Sequence, residues 1–214
     1  GPEIAVASTK AYTSQVVLLN IMALYFAEIL ESISSEKINK LKKELLSLPE
    51  KAEKVLKSSK DLQGFAQKIY KEKDVFFIGR GIDYPVSMEA SLKLKEISYI
   101  HSESFAAGEL KHGPIALIEN GTTVVSILTD PNLVEKTVSN IQEVITRGAK
   151  SFVVTNQPLD KTNFDFVISI SQIDSIYSPV LSIIPLQLLA YYITKEKGLD
   201  VDKPRNLAKS VTVE

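Results

Sequence analysis

Apolar and polar positions along this chain follow two different periods, and the change from one to the other divides it. From Ala11 to Leu30 apolar residues recur at Val16, Leu19, Ala23, Phe26, Ala27 and Leu30, a 3.6-residue spacing broad enough to predict a helix buried on most sides. Ser8 and Thr9 stand before it as N-cap hydroxyls, and the EIAVAS run from Glu3 to Ser8 reads as a short strand or extended approach. Leucines at 41, 45, 48, 56 and 62 then recur among lysines and acids, which predicts two or three short amphipathic helices breaking near Pro49 and Ser58. At Asp74 the period changes. The run Asp74–Gly79 is apolar throughout after its first residue and leads into Gly-Arg-Gly, and from Tyr84 to Ile97 a helical spacing of Val86, Ala90, Leu94 and Ile97 follows. Further strand-like runs lie at Tyr99–Phe105, Thr123–Thr129, Ser151–Thr155 and Phe166–Ile170. Helices are predicted from about Leu133 to Arg147, with Gly148 as the C′ residue, and from about Pro179 to Lys197, closed by Gly198.

Five short apolar strands alternating with helices predict an α/β fold with one parallel sheet covered on both faces. Apart from that short run no strand pattern precedes the first helix, which has no sheet of its own to cover, so residues 1–33 read as the tail of a preceding domain. Residues 34–60 read as a helical linker, 61–199 as the sheet domain and 200–214 as a C-terminal tail. With Gly1-Pro2 at its start and no methionine there, the chain reads as a piece or processed form of a longer one.

Composition narrows the chemistry. A hydrophobic content of 44% supports a sizeable core, and a net charge of −1 gives no basic field for nucleic acid. Between Glu36 and Asp74 eleven lysines face seven acids, so that segment reads as solvated helix faces. The absence of cysteine excludes a disulfide framework, a zinc–thiolate site and a thiol nucleophile within the chain, and fits a cytoplasmic setting. Val16 to Leu30 is interrupted by Asn20 and Glu28 and reads as a buried helix rather than a membrane span, and no secretory leader pattern is present.

Proton-transfer groups concentrate between Leu92 and Pro114, which holds both histidines. Lys93 shares a helix face with Glu96 at three residues and with Glu89 at four. The bland reading is a solvated salt bridge. Apolar bulk from Leu92, Leu94 and Ile97 instead predicts a partly desolvated carboxylate able to take and return a carbon-bound proton. His112 lies in a turn fenced by glycine and proline, where an imidazole is placed to pass a proton to a ring oxygen or simply to bond within its loop. Glu109 and His112 lack companion ligands for a metal, and His101 reads as structural. Strand carboxyl ends are the usual ligand position, which puts the Gly79-Arg80-Gly81 turn near a site. Its spacing is not that of a dinucleotide loop. Arg80 reads as an anion clamp or, in preference, as a structural ion-pair partner of Glu89. The tail from Asp200 carries Pro204 and an apolar alternation at Leu207, Val211 and Val213, as in a docked segment. In such a tail Lys209 is able to meet a carbonyl as a Schiff base or to stabilise an enediolate oxygen.

Five segments together carry a resemblance: EIAVASTK from Glu3 to Lys10, LKLKEI from Leu92 to Ile97, GELKHGP from Gly108 to Pro114, PLQLLA from Pro185 to Ala190, and PRNLAKSVTVE from Pro204 to Glu214. Over essentially its whole length the chain resembles the isomerase part of the glucosamine-6-phosphate synthase family. That resemblance implies paired SIS domains, each a flavodoxin-like α/β/α sandwich, here a five-stranded second domain preceded by helices ending the first. It implies conversion of fructose 6-phosphate and ammonia to glucosamine 6-phosphate, with no metal or cofactor. By motif, Glu96 resembles the base moving hydrogen between C1 and C2, and His112 the ring-opening residue supplied to the neighbouring subunit, which implies a homodimer. Lys93 is similar to a partner of the sugar near C1, and Lys209, with the backbone near Ala208, to the lysine holding the open-chain ketose. Val6 and Ser8 are similar to the segment contacting the sugar.

The family's glutaminase domain and most of its first SIS domain, with the phosphate-cradling Ser/Thr-rich loop, have no counterpart in these residues. The serine-rich stretch Ser169–Ser178 lacks the glycine turn that would replace it. Two other readings stay open: an SIS module that senses a sugar phosphate for regulation, and a standalone sugar-phosphate isomerase or deaminase.

Overall fold

The computed structural model describes residues 2–210. Its centre is a five-stranded, wholly parallel sheet in the order β2-β1-β3-β4-β5, formed by β1 (Asp74–Gly79), β2 (His101–Ala106), β3 (Thr123–Leu128), β4 (Lys150–Thr155) and β5 (Phe166–Ser169). The inner strands are apolar on both faces because both are covered. Val75, Phe77, Val125, Ile127, Phe152 and Val154 face one core layer, and Phe76, Ile78, Val124, Leu128 and Val153 face the other.

The two layers are unequal. The first layer takes residues from α1 (Lys10–Ile29), α2 (Ser35–Leu46), α3 (Leu48–Ser58), α4 (Leu62–Ile69), α5 (Asp83–Ser98) and α7 (Ser178–Glu196). The second layer is built from α6 (Val134–Ile145) and the 3₁₀ turns at Ala107–His112 and Pro114–Leu117. The stretch expected as a linker folds as α2 and α3 and adds Ile38, Leu41, Leu48 and Val55 to the first core.

Several local expectations change. Residues 3–8 approach the first helix with bends at 5–7 and form no strand. Neither Ser8 nor Thr9 caps α1 with its hydroxyl. The Glu3 carboxylate does so, accepting from the N–H groups of Thr9 (2.6 Å), Lys10 (3.0 Å) and Ala11 (3.3 Å). Helix α1 itself is not buried on most sides: Leu24 is its one buried residue, and Leu18, Leu19, Ile21, Met22, Tyr25, Phe26, Ile29 and Leu30 are exposed. Periodicity reports which positions are apolar and not what covers them. By length and composition α1 and α7 are both long and apolar enough to cross a membrane, but α7 is the core helix of this fold. Strand β2 starts two residues later than its apolar run because Tyr99, in the left-handed region at φ 59°, ends α5 first.

Candidate functional site

Serines on α5 set it against the edge strand. Ser87 Oγ meets Ser104 Oγ at 2.6 Å, Ser91 Oγ meets Ser102 Oγ at 3.0 Å, and the Ser102 hydroxyl donates to the Ser91 carbonyl at 2.8 Å. Such short side chains let the helix approach closely and turn its other stripe, Glu89, Lys93 and Glu96, away from the sheet. Lys93 is buried at 5% exposure, its Nζ 2.7 Å from Glu96 Oε2 and 3.5 Å from Glu89 Oε1. The closer approach has the distance of an ion pair but not the angle of a hydrogen bond. Glu96 Oε2 is therefore a buried acceptor without a directional partner. Burial pushes the Glu89 carboxyl up against the pull of Lys93, and Glu96 adds to the rise. Tyr12, at the start of α1, is pushed up to about 12 by burial and by Glu89, which ties α1 to the same charge cluster.

Glu96 opens onto a groove of about 520 Å³ that Leu92, Tyr99, Arg205, Asn206 and Leu207 also line. The C-terminal tail is thus one wall of it. The tail is held by buried Pro204, by the Asp202 carbonyl accepting from Val6 N–H at 2.9 Å, and by Tyr99. Leu207 is exposed at 43% and is not the anchor that its apolar spacing predicts; Val211 and Val213 lie outside the described residues. Lys209 Nζ donates to Ser8 Oγ at 3.2 Å and lies 3.9 Å from Glu3 Oε2. Ala7, between Val6 and Ser8, belongs to the first core layer together with Ala90 and Leu94 of α5, and Val201 packs against it. The tail, the Val6–Ser8 segment and Glu96 therefore share one side of the sheet. Ala208 is exposed beside Lys209.

Two expectations are corrected here. Glu96 is near the end of α5, three residues before the helix gives way to β2, so its groove lies toward the amino ends of the strands and not the carboxyl ends. At the carboxyl ends, the crevice between β1 and β3 is filled by the chain's own Asp83. Its carboxylate accepts from Thr129 N–H at 2.7 Å, from Asp130 N–H at 3.3 Å and from the Thr129 hydroxyl. Burial raises the Asp83 carboxyl although those donors pull it down. Arg80 does not pair with Glu89: its Nε donates to Asn140 Oδ1 at 2.9 Å, and its guanidinium packs so closely on Gly108 that a Cβ there would meet it at 2.7 Å.

His112 is not brought to Glu96 within one chain. Its 3₁₀ turn buries Ala107 and Leu110 in the second core layer, and the imidazole, 73% exposed, has Glu109 at 3.9 Å. His101 joins the strand starts, Nδ1 2.7 Å from Asp74 Oδ1. A second groove, of about 590 Å³, shares His101 but carries Lys71, Lys73 and a Lys150–Glu72 pair at 2.8 Å, and none of the candidate residues. Sequence reasoning missed Glu3, Asp83 and Tyr99. Only Tyr99 left a signal, as an aromatic residue where a helix gives way to a strand with no glycine between them.

The model of the SIS domain matches residues 68–194. The glutamine–fructose-6-phosphate aminotransferase (isomerizing) of Clostridium tetani is 57% identical over all of this chain, which spans 36% of that protein. The solved C-terminal domain of glucosamine-fructose-6-phosphate aminotransferase from Francisella tularensis superposes with a TM-score of 0.90 at 38% identity, over 95% of this chain and 58% of that one. The glucosamine-6-phosphate deaminase of Thermotoga maritima superposes with a TM-score of 0.69 at 25% identity, over 99% of this chain and 59% of that one.

Proposed function

The chain belongs to the SIS domain family, and from that premise we propose that it is the isomerase half of a glutamine–fructose-6-phosphate aminotransferase. In this reading fructose 6-phosphate and ammonia become glucosamine 6-phosphate, in the cytoplasm, for amino-sugar biosynthesis. The ammonia comes from glutamine on a glutaminase domain outside these residues. Identity along the full length to an aminotransferase of that name supports it. The observation that carries it is the Lys93–Glu96 pair, held on a half-buried helix face and opening onto a groove walled by the tail that bears Lys209.

Each residue then has a task. Amination of the ketose at C2 expels its carbonyl oxygen as water and leaves a proton on C1 to be moved to C2, the C1 hydroxyl giving up its own proton as C1 becomes the aldehyde. Glu96, with a buried oxygen lacking a directional partner, takes that proton and returns it. Nothing is oxidised overall, since the electron pair left on C1 shifts toward C2 and a hydrogen arrives there. Lys93 holds Glu96 in place and meets the sugar near C1. Lys209, steadied by Ser8, holds the open-chain ketose, with Val6, Ser8 and Ala208 along its length. His112, exposed and remote from Glu96 in its own chain, opens the sugar ring in the site of the neighbouring subunit, so that a homodimer is the smallest competent unit. The exposed apolar face of α1 then packs within a first SIS domain, to which residues 1–33 belong. Residues 34–60 join the two domains, 61–199 form the second, and 200–214 complete the site.

Glu96→Gln in the full-length enzyme is expected to lower isomerisation of fructose 6-phosphate by about 10²–10⁴-fold while sugar-phosphate binding persists. Undiminished isomerisation would reject Glu96 as the base. Product analysis with and without ammonia separates this reading from a standalone deaminase, which the Thermotoga fold likeness alone would also suit.

A further inference from the structure

Helix α5 ends on Tyr99 at φ 59° and ψ 18°. That left-handed C-terminal position is where glycine is the common choice and where a bulky aromatic side chain is disfavoured. The side chain kept there has both of its functional parts committed to one segment. Its hydroxyl accepts from Arg205 N–H at 2.7 Å, and the Arg205 guanidinium carbon stands 4.2 Å over its ring centroid. Among the described residues Arg205 makes no ion pair, and the charge facing it is that of Lys197, of like sign, whose own pKa is lowered by burial and by Arg205. The ring face is therefore what holds this cation.

The contact lies between the two halves of the candidate site. Three residues before Tyr99 on the same helix is Glu96, and four residues after Arg205 is Lys209. Upstream, Asp200 Oδ1 accepts from the N–H groups of Asp202 (2.9 Å) and Lys203 (3.0 Å), and Pro204 is buried. The tail thus enters Tyr99 already turned. We propose that Tyr99 is a positioning residue: it latches the C-terminal tail to the end of α5 and so sets where Lys209 stands relative to Glu96. It touches no reacting atom. The proposal rests on the assignment of Lys209 and Glu96 to one site, and its test keeps the two apart.

The test compares Tyr99→Gly and Tyr99→Phe with the parent, each as the full-length enzyme. Glycine removes ring and hydroxyl but suits the left-handed backbone, so the fold keeps its thermal midpoint; phenylalanine removes the hydroxyl alone. In the native state trypsin is expected to cut after Arg205 or Lys209 about tenfold faster in Tyr99→Gly than in the parent, with Tyr99→Phe between them. Intact mass reads the cut. KM for fructose 6-phosphate rises in the same order, more than kcat falls, because substrate must then draw in a free tail. Cleavage of Tyr99→Gly as slow as the parent's, or of Tyr99→Phe faster than that of Tyr99→Gly, overturns the latch. Faster cleavage with unchanged kinetics supports the latch and rejects instead the role given to Lys209.

Discussion

Lys93 and Glu96 meet at 2.7 Å on α5, and Glu89, one turn back, flanks the same ammonium at 3.5 Å, so that two acids share one buried cation. Removing one member of a buried ion group leaves the others without a counter-charge. Lys93→Met is therefore expected to cost about 3–5 kcal/mol of unfolding free energy, and Glu89→Gln on that background to return part of it. Urea denaturation of the four chains of the cycle measures the coupling; additive losses would mean that the cation is not shared.

The pH dependence of Glu89 has a definite sign. Its folded-state pKa is raised by burial, with Lys93 opposing and Glu96 assisting. Such a carboxyl contributes stability below its unfolded pKa, and that contribution is lost as pH rises through the folded value. Glu89→Gln should match the parent in acid and become the more stable of the two once pH has passed the raised value. Denaturation midpoints across a pH series check this, and a less stable variant at neutral pH contradicts it.

Glu3 behaves in the opposite way. Burial pulls its carboxyl up, but the N–H groups of Thr9, Ala11 and Lys10, with Lys209, outweigh it and hold it below the usual carboxylate range. Stability from this cap is present above the unfolded pKa and is lost as pH falls through the folded one. Glu3→Ala should cost about 1 kcal/mol, the loss of an N-cap. Faster amide exchange at residues 9–11 is the local signature, and unchanged protection there would refute the cap.

Asp83 accepts from three donors at the carboxyl ends of β1 and β3. Asp83→Ala leaves the buried Thr129 N–H unpaired, at about 1–3 kcal/mol, while the Thr129 hydroxyl keeps Ser178 Oγ at 2.8 Å, and should lower the denaturation midpoint. Asp83→Asn, which keeps an acceptor, is expected to lose less.

A shared site also predicts complementation. Glu96→Gln and His112→Ala subunits, inactive alone, should regain turnover when mixed dimers form, with about half of the sites in each mixed dimer intact. Absence of recovery in dimers verified by mass would place His112 outside the neighbouring site.

The strands were legible because a parallel strand buried on both faces is a continuous apolar run, and Asp74–Gly79 and Thr123–Leu128 fall where those runs lie. Lys93 and Glu96 were legible through helical spacing, and the tail through its motif. The covering of α1 was not, since apolar spacing looks the same on a buried face and on one awaiting a neighbour. Nor were the pairings of Asp83 with Thr129, Arg80 with Asn140 or Glu3 with Lys10, because each joins residues by tertiary approach and no period in the chain encodes it.

The serines that seat α5 against β2 have a consequence for the opposite stripe of that helix. Hydroxyl-to-hydroxyl contacts at Ser87 and Ser91 leave little freedom for the helix to roll about its axis. The bearing of the Glu96 carboxylate is therefore dictated from behind, by small side chains that never face the groove. One added methyl at either serine would swing the acid without touching it, and misplacement by an ångström is enough to blunt the proton transfer proposed for it.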